Sequence, residues 1–581
     1  MKKIWTKIAA AGLAVALGLT GCNGLTSCNK EADPSDTMSV LNIHVYNGGL
    51  GRDWLDAVAT DFMDTFKDVS FEEGKTGVHI EVTADKQLES ATLMATGADR
   101  NDIFYTADHD LYDYINLNVP MDITDIVTEP VYDADGNLTL NATGDGWATQ
   151  TTSLYDRMLP YFQDAYNVAE KYPDAAHDGR LFYGVPFEDS ISGFVLDYDL
   201  YAELVTRYRL EMTGYKYSGD EVAMPGTWDE FFALLDQIRT SNNQEYSSFI
   251  YAMDYYTSPI QTAILADVEG DAFMEMLNRY EGSYDFGAGE VPLDSTNMYE
   301  ILKADGYRKA VEVGVKLFSS TRSGVNHYDQ QIMQGVSFGG AQQSFVMSKA
   351  STSGKQRILS ILEGDWWENE ARASFNSMGN LNPADGYGQR NFRMMPIPHF
   401  TDEEVAAGKP YKFGGFSSGY PAVVNRLTVE GDPVKEKLVR LWLQFQHSRE
   451  SLKTFTTHSG SSLAYDYDLT EAELEALTPF ARSIVEVHQQ DVAEDGMLEI
   501  VRSNPLARSD TARLHPVGIG FVSNYNGTLY DSNALIENMR RLRAAGNSWQ
   551  ADISWLSSAE QDVVDTYVTG MYNYYQTQWT A

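Results

Sequence analysis

Hydrophobic and polar positions alternate at Leu41, Ile43 and Val45, which predicts a strand, and the run stops at Tyr46, Asn47, Gly48 and Gly49, a glycine-rich loop. The period then lengthens. Trp54, Val58, Phe62 and Phe66 recur every four residues as one face of an amphipathic helix, and Val78, Ile80 and Val82 return to alternation as a second strand. A helical piece over Gln87–Ala95 is followed by Asp102–Thr124, which begins as a strand and turns polar at Thr106, Asp108, His109 and Asp110. This β-α-β-α-β order predicts a parallel sheet whose strand ends gather ligand-binding residues.

The stretch that organises the chain is Tyr183–Tyr201. Its apolar run is broken by Glu188, Asp189 and Ser190 and resumes at Gly193, Phe194, Val195 and Leu196, the pattern of a buried strand with a kink whose polar groups face a cleft. Further on, Thr227 and Glu230 have capping-box spacing ahead of a helical stripe of Trp228, Phe231, Phe232, Leu235 and Ile238. Taken alone, these residues fit an ordinary α/β core strand and an ordinary helix start equally well. Together they resemble the family 1 extracellular solute-binding proteins of the maltodextrin-binding type, which feed ABC transporters.

The resemblance implies an α/β, two-lobe periplasmic-binding-protein fold of type II. Each lobe would hold a mixed, mostly parallel sheet flanked by helices, and three hinge crossings would join them. It makes Tyr183–Tyr201 the first crossing, Tyr411–Val424 the second with Phe416 near the ligand, and Ser459–Ser462 the third. Lobe I then spans 39–187 and 412–460, and lobe II spans 188–411 and 461–581. It also implies sugar contacts from the acidic loop at Asp108 and His109, and from Tyr255 and Tyr256 after a strand at Phe249–Ala252. Gly364, Asp365, Trp366 and Trp367 match a Gly-x-Trp whose ring stacks on ligand, so of the two indoles one is expected to pack and the other to stack. The strand before them is expected at Phe345–Met347, with an insertion at Lys349–Leu359 that leaves the register between Trp366 and Trp367 open. Arg393–Pro398 resembles the family's short strand ahead of the return crossing.

Composition adds an address and excludes several chemistries. Lys2, Lys3 and Lys7 precede an apolar run from Ile8 to Leu19 and the sequence Leu19-Thr20-Gly21-Cys22, a signal peptide over 1–21 closed by a lipobox. The run is too short to span a bilayer. Cys22 is the expected lipidation site, preferred over Cys28, which lies farther from the run, and 22–38 reads as a flexible tether. The expected location is therefore the outer face of the bacterial cytoplasmic membrane. These are the only two cysteines of 581 residues, so the mature body has no disulfide framework and no thiolate metal site. The ten histidines are dispersed without an H-E-x-x-H, and no cofactor or metal is expected. Asp133, Asp135, Gly136 and Asn137 begin like a calcium loop, but Gly144 stands where the closing Glu belongs, so a hairpin turn is expected. Gly415-Phe416-Ser417-Ser418-Gly419 matches G-x-S-x-G, yet Pro421, Val423 and Val424 continue extended where a nucleophile elbow needs a helix.

Net charge is −40, and −43 once the three signal-peptide lysines are removed, which disfavours nucleic acid and acidic ligands. Tyrosine, at 35 residues, is more frequent than either Phe or Trp and offers apolar faces with hydrogen-bonding edges suited to sugar rings. The function expected is capture of an oligosaccharide by lobe closure for an ABC importer, by a monomeric, non-enzymatic protein with membrane permease partners. Asn47, Trp54, Asp108, His109, Asp189 and Ser190 are the expected polar rim, and Tyr255, Tyr256, Trp366, Trp367 and Phe416 the expected faces. An extracellular glycoside hydrolase, or a binder of peptide or polyamine, is the alternative.

Overall fold

The computed structural model describes residues 33–86, 91–106, 111–240, 245–250, 257–279, 281–287, 289–294, 296–319, 321–322, 325–326, 337–350, 356–415, 420–502 and short groups between 561 and 577. Its main strands, in chain order, are β1 (Ser39–Tyr46), β2 (Val78–Asp85), β3 (Ile103–Tyr105), β4 (Gly184–Pro186), β5 (Ile191–Asp197), β6 (Tyr246–Ile250), β7 (Arg357–Gly364), β8 (Phe392–Met395), β9 (Tyr411–Gly415), β10 (Pro421–Val424) and β11 (Leu498–Val501). They form two sheets. The first has the order β2-β1-β3-β10-β4; the second has β11-β9-β5-β7-β6, with β8 also paired to β5.

Each sheet closes its own hydrophobic core. Leu41, Ile43, Val45, Trp54, Phe62 and Trp442 belong to one, and Phe194, Leu196, Trp228, Phe249 and Trp367 to the other. Leu50, in the loop after β1, packs against both. The kinked stretch of the sequence is the first passage between them: β4 ends at Pro186 in one sheet, and β5 begins at Ile191 in the other. β5 is buried at every position because strands flank it on both edges and helices cover its faces. The second passage runs from β9 to β10. The third follows the helix Arg449–Ser459, after which Leu463, Ala464 and Tyr465 still pack in the first core before the chain returns to the second sheet at β11.

Strand direction follows from these passages. β1 runs parallel to β2 and β3, and β9 runs parallel to β11, whereas β10 and β5 run against their neighbours. A chain arriving from the other lobe must enter its new sheet at the edge facing the cleft, which is where the parallel strands end. The crossing strand is thus antiparallel, and the carboxyl ends of the two parallel sets face one another, the position where open α/β sheets bind ligands.

Several local expectations change. Phe345–Met347 is the end of a helix, Phe338–Met347, capped by Ser337, whose side chain accepts from the Gly340 amide. The strand ahead of the tryptophans is β7, which begins inside the expected insertion. A three-residue apolar run has no period, so the pattern could not separate helix from strand. The boundary expected at 412 falls one strand early, because Tyr411–Val501 residues of β9 and β11 pair in the second sheet and the chain leaves only after Gly415. Beyond the third passage the chain forms two successive helices, Glu471–Ala476 and Pro479–Asp491, since Thr478 caps a new start and Pro479 cannot continue the old one. Thr227 does cap its helix, accepting from the Glu230 amide at 3.3 Å, but the Glu230 carboxylate serves Gly226 N at 2.6 Å and Thr213 instead of closing the box. Asp133–Asn137 is a turn, with Asn137 N donating to the Asp133 carboxylate at 2.9 Å.

Candidate functional site

A cavity of about 210 Å³ opens where the two sheets face each other. One wall comes from the end of β1 and the loop after it, Val45, Tyr46 and Gly48–Gly51, with Trp54 from the first turn of the helix Asp53–Phe66. Phe187 and Glu188 of the first passage and Tyr420 of the second form the floor. Phe338, Trp366 and Glu370 come from the other lobe.

Trp54 is held rigidly. Tyr105 and Phe455 meet its ring edge-on at centroid distances of 5.4 and 5.0 Å, and Phe187 stacks at 6.4 Å with 17° between planes. Its indole N–H is buried and has no acceptor among the described residues. Trp366 lies between two glycines. A Cβ on Gly49 of the facing lobe would sit 2.0 Å from its Cδ1, and one on Gly364 would sit 2.3 Å from its Cη2. Only glycine lets the backbone approach an indole so closely. The lobes also meet through polar contacts at the rim. Asn369 Nδ2 donates to Gly49 O at 2.9 Å, Lys86 reaches Glu370 at 3.2 Å, and Arg372 reaches Asp53 at 3.4 Å.

The expected site residues separate into three groups. Trp54 and Trp366 line the cavity together. Trp367 does not: it is fully buried among Phe345, Phe375, Phe392 and Phe480, so it is the indole that packs. Asn47 stands beside the wall residues Tyr46 and Gly48, its backbone N–H donating to Asp85 O at 2.7 Å. Asp189 and Ser190 are fully buried beneath the cavity rather than on it. Asp108, His109, Tyr255, Tyr256 and Phe416 lie outside the described residues.

Asp189 works within the hinge. Arg502, at the end of β11, donates to both its carboxylate oxygens at 2.9 and 2.6 Å, and His488 lies 3.3 Å away. Burial alone would raise this carboxyl; Arg502 and His488 overcome it and hold Asp189 well below the ordinary carboxylate range. The Asp189 amide donates to Ser462 O, and Ser461 Oγ donates to Asp365 at 2.5 Å, so the first and third passages and the end of β7 are tied at one point. Burial pushes the Asp365 carboxyl up to about 6 against the Ser461 hydrogen bond, and pushes Glu368 up to about 7 against the bond from Thr478 at 2.5 Å.

A pH test follows for Glu368. Its folded-state value lies above its ordinary 4.5, so the protonated form contributes stability at low pH, and that contribution is lost as pH rises through about 7. Glu368→Gln keeps an acceptor for Thr478 and never ionises. Relative to wild type it should gain stability between pH 5 and pH 8, by about 3 kcal/mol, read from urea denaturation at the two pH values.

The sequence did not single out Glu370, Tyr420 or Phe338. Glu188 stood in the polar break that marked the kink, but strand parity does not run through a crossing, so nothing indicated which of Glu188, Asp189 and Ser190 faces the cavity.

No family model matches the chain, and no curated protein does. Among solved structures it is similar to one described as the solute-binding protein RafE in complex with raffinose, with 14% identity and a TM-score of 0.48 over 93% of this chain and 100% of that one. It is similar also to a chitin oligosaccharide binding protein, with 12% identity and a TM-score of 0.47 over 93% and 98% of the two chains. A probable secreted solute-binding lipoprotein from Streptomyces coelicolor shows 11% identity and a TM-score of 0.45 over 88% and 100%.

Proposed function

We propose that this chain is a family 1 extracellular solute-binding protein that closes two lobes over an oligosaccharide and presents it to an ABC permease. The observation that carries the reading is the cavity between the sheets, with Trp54 supplied by one lobe, Trp366 by the other, and two of the three passages forming its floor. Rigid aromatic walls suit the apolar faces of sugar rings, and carboxylates suit hydroxyls. Binding by hinge closure needs no bond-making step, and the protein acts without catalysis.

The remaining site residues belong to the same proposal. Asp108, His109, Tyr255, Tyr256 and Phe416 are further ligand contacts in this reading, on the strength of the family resemblance of the sequence around them. No helix among the described residues is long and apolar enough to cross a membrane, and the lipobox at Cys22 supports anchoring by lipid in its place.

The test is a thermal-shift and calorimetric screen of the soluble body, from about residue 38, against oligosaccharides, peptides and polyamines. Saturation at a hundred times Kd should stabilise by about 2.7 kcal/mol. An oligosaccharide that shifts the transition and is recovered intact supports the reading. Release of a cleaved product assigns the cleft to a hydrolase, and a response confined to peptides or polyamines ends the sugar assignment.

A further inference from the structure

One buried acid at the hinge is tied to the passages without an ion pair among the described residues. Asp365, the residue after β7, is 2% exposed. Its N–H donates to Ile191 O, where the first passage enters β5, at 3.0 Å, and one carboxylate oxygen accepts from Ser461 Oγ of the third passage. The other oxygen, Oδ1, is buried with no partner among the described residues. Facing the carboxyl are Asp189 from the first passage and His488 from the helix Pro479–Asp491, with Arg502 of β11 behind Asp189. Arg502 is already shared by Asp189 and Asp491, at 2.6 and 2.7 Å, so an ionised Asp365 would be a third carboxylate against one guanidinium and one imidazole. On its own stretch of chain, Glu363 is held by Gln342 at 3.1 Å and Glu368 by Thr478 at 2.5 Å. An unpaired charge in such a place is costly, and a bound proton removes it.

The position of Asp365 couples it to lobe movement. Trp366, the next residue, lies against Gly49 of the facing lobe, and Ser461 and Ile191 belong to passages that turn when the lobes part. On the solute-binding reading above, we propose that the hinge is proton-gated: closure takes up a proton on Asp365, whose carboxylate meets water when the lobes part, so the closed form is favoured in mildly acidic medium and gives way to the open form toward neutral pH. Burial raises this carboxyl to about 6 in the closed form, against an ordinary 3.8 for a hydrated one. The closed form therefore gains fully below 3.8, and the gain is lost as pH rises through about 6.

Distances between spin labels test this on the ligand-free body. From residue 38 onward the chain has no cysteine, so Asp61→Cys on one lobe and Asn376→Cys on the other, both exposed helix positions, take one label each. The ratio of closed to open separations should rise about tenfold from pH 8 to pH 5. Asp365→Asn keeps an acceptor for Ser461 and never ionises, so it should flatten the profile. Ser461→Ala removes a bond that favours the charged form and should move the onset to higher pH, a shift that titration of His488 would not show. A pH response that survives Asp365→Asn, or an onset that ignores Ser461→Ala, overturns the assignment to Asp365. Separations unmoved by pH but shortened by an oligosaccharide of the screen overturn the gate and leave solute binding intact. One separation moved by neither overturns both.

Discussion

Asp189→Asn is expected to destabilise the protein by about 3–5 kcal/mol at neutral pH, the cost of removing one partner from a buried ion pair. Arg502 is buried and shared between Asp189 and Asp491, at 2.6 and 2.7 Å. Asparagine preserves shape and one acceptor but leaves the guanidinium, whose side chain is only 8% exposed, with half its compensating charge. The pH dependence has a definite sign. Asp189 is held below its ordinary value of 3.8, so its contribution is present above that pH and lost as pH falls below it. The gap between wild type and variant should therefore be full at pH 7 and close only under strongly acidic conditions. A second substitution, Arg502→Met, made in the Asp189→Asn background, should recover most of the loss, because it removes the stranded charge. Urea denaturation of the three proteins checks both statements. A loss below about 1 kcal/mol would mean that the pair is solvated and the hinge is held by other contacts.

The same residue shows where sequence reasoning reaches and where it stops. A polar break inside an apolar run marks a change of surroundings, so the kink was legible from Glu188, Asp189 and Ser190, while its reading as a passage between lobes came from the family resemblance. The parallel order of β1, β2 and β3 was legible from their periods. The partner of Asp189 was not, since Arg502 lies 313 residues away and no local pattern links them. An acid at a cleft was expected to touch ligand; the fold uses it to join strands. Trp366 and Trp367 differ by one position, and their roles depend on how the chain turns out of β7. The structure buries Trp367 against four phenylalanines and sets Trp366 against Gly49. Glu370 became visible only once the helix carrying it faced the loop after β1.

Gly49→Val is expected to lower ligand affinity by about a hundredfold or more while leaving the stability of each lobe nearly unchanged. A Cβ at this position would overlap Trp366 Cδ1 at 2.0 Å, far inside van der Waals contact, and the indole cannot retreat because Gly364 already lies against its other edge. The loop carrying Gly49 and the strand carrying Gly364 belong to different lobes, so relief comes only by parting them. Parting breaks the bond from Asn369 to Gly49 O and draws Lys86 from Glu370 and Arg372 from Asp53. It also removes Trp366 from the ligand. The closed state would then lie a few kcal/mol higher, and about 1.4 kcal/mol corresponds to each tenfold loss of affinity. Gly49 lies in the loop after β1 and outside every strand and helix, so the unfolding transition without ligand should barely move. Calorimetry with the glycan found in the screen gives the affinity, and small-angle scattering of the saturated protein gives the lobe separation. A variant that binds as tightly as wild type and compacts to the same radius would show that closure does not bring Gly49 onto Trp366.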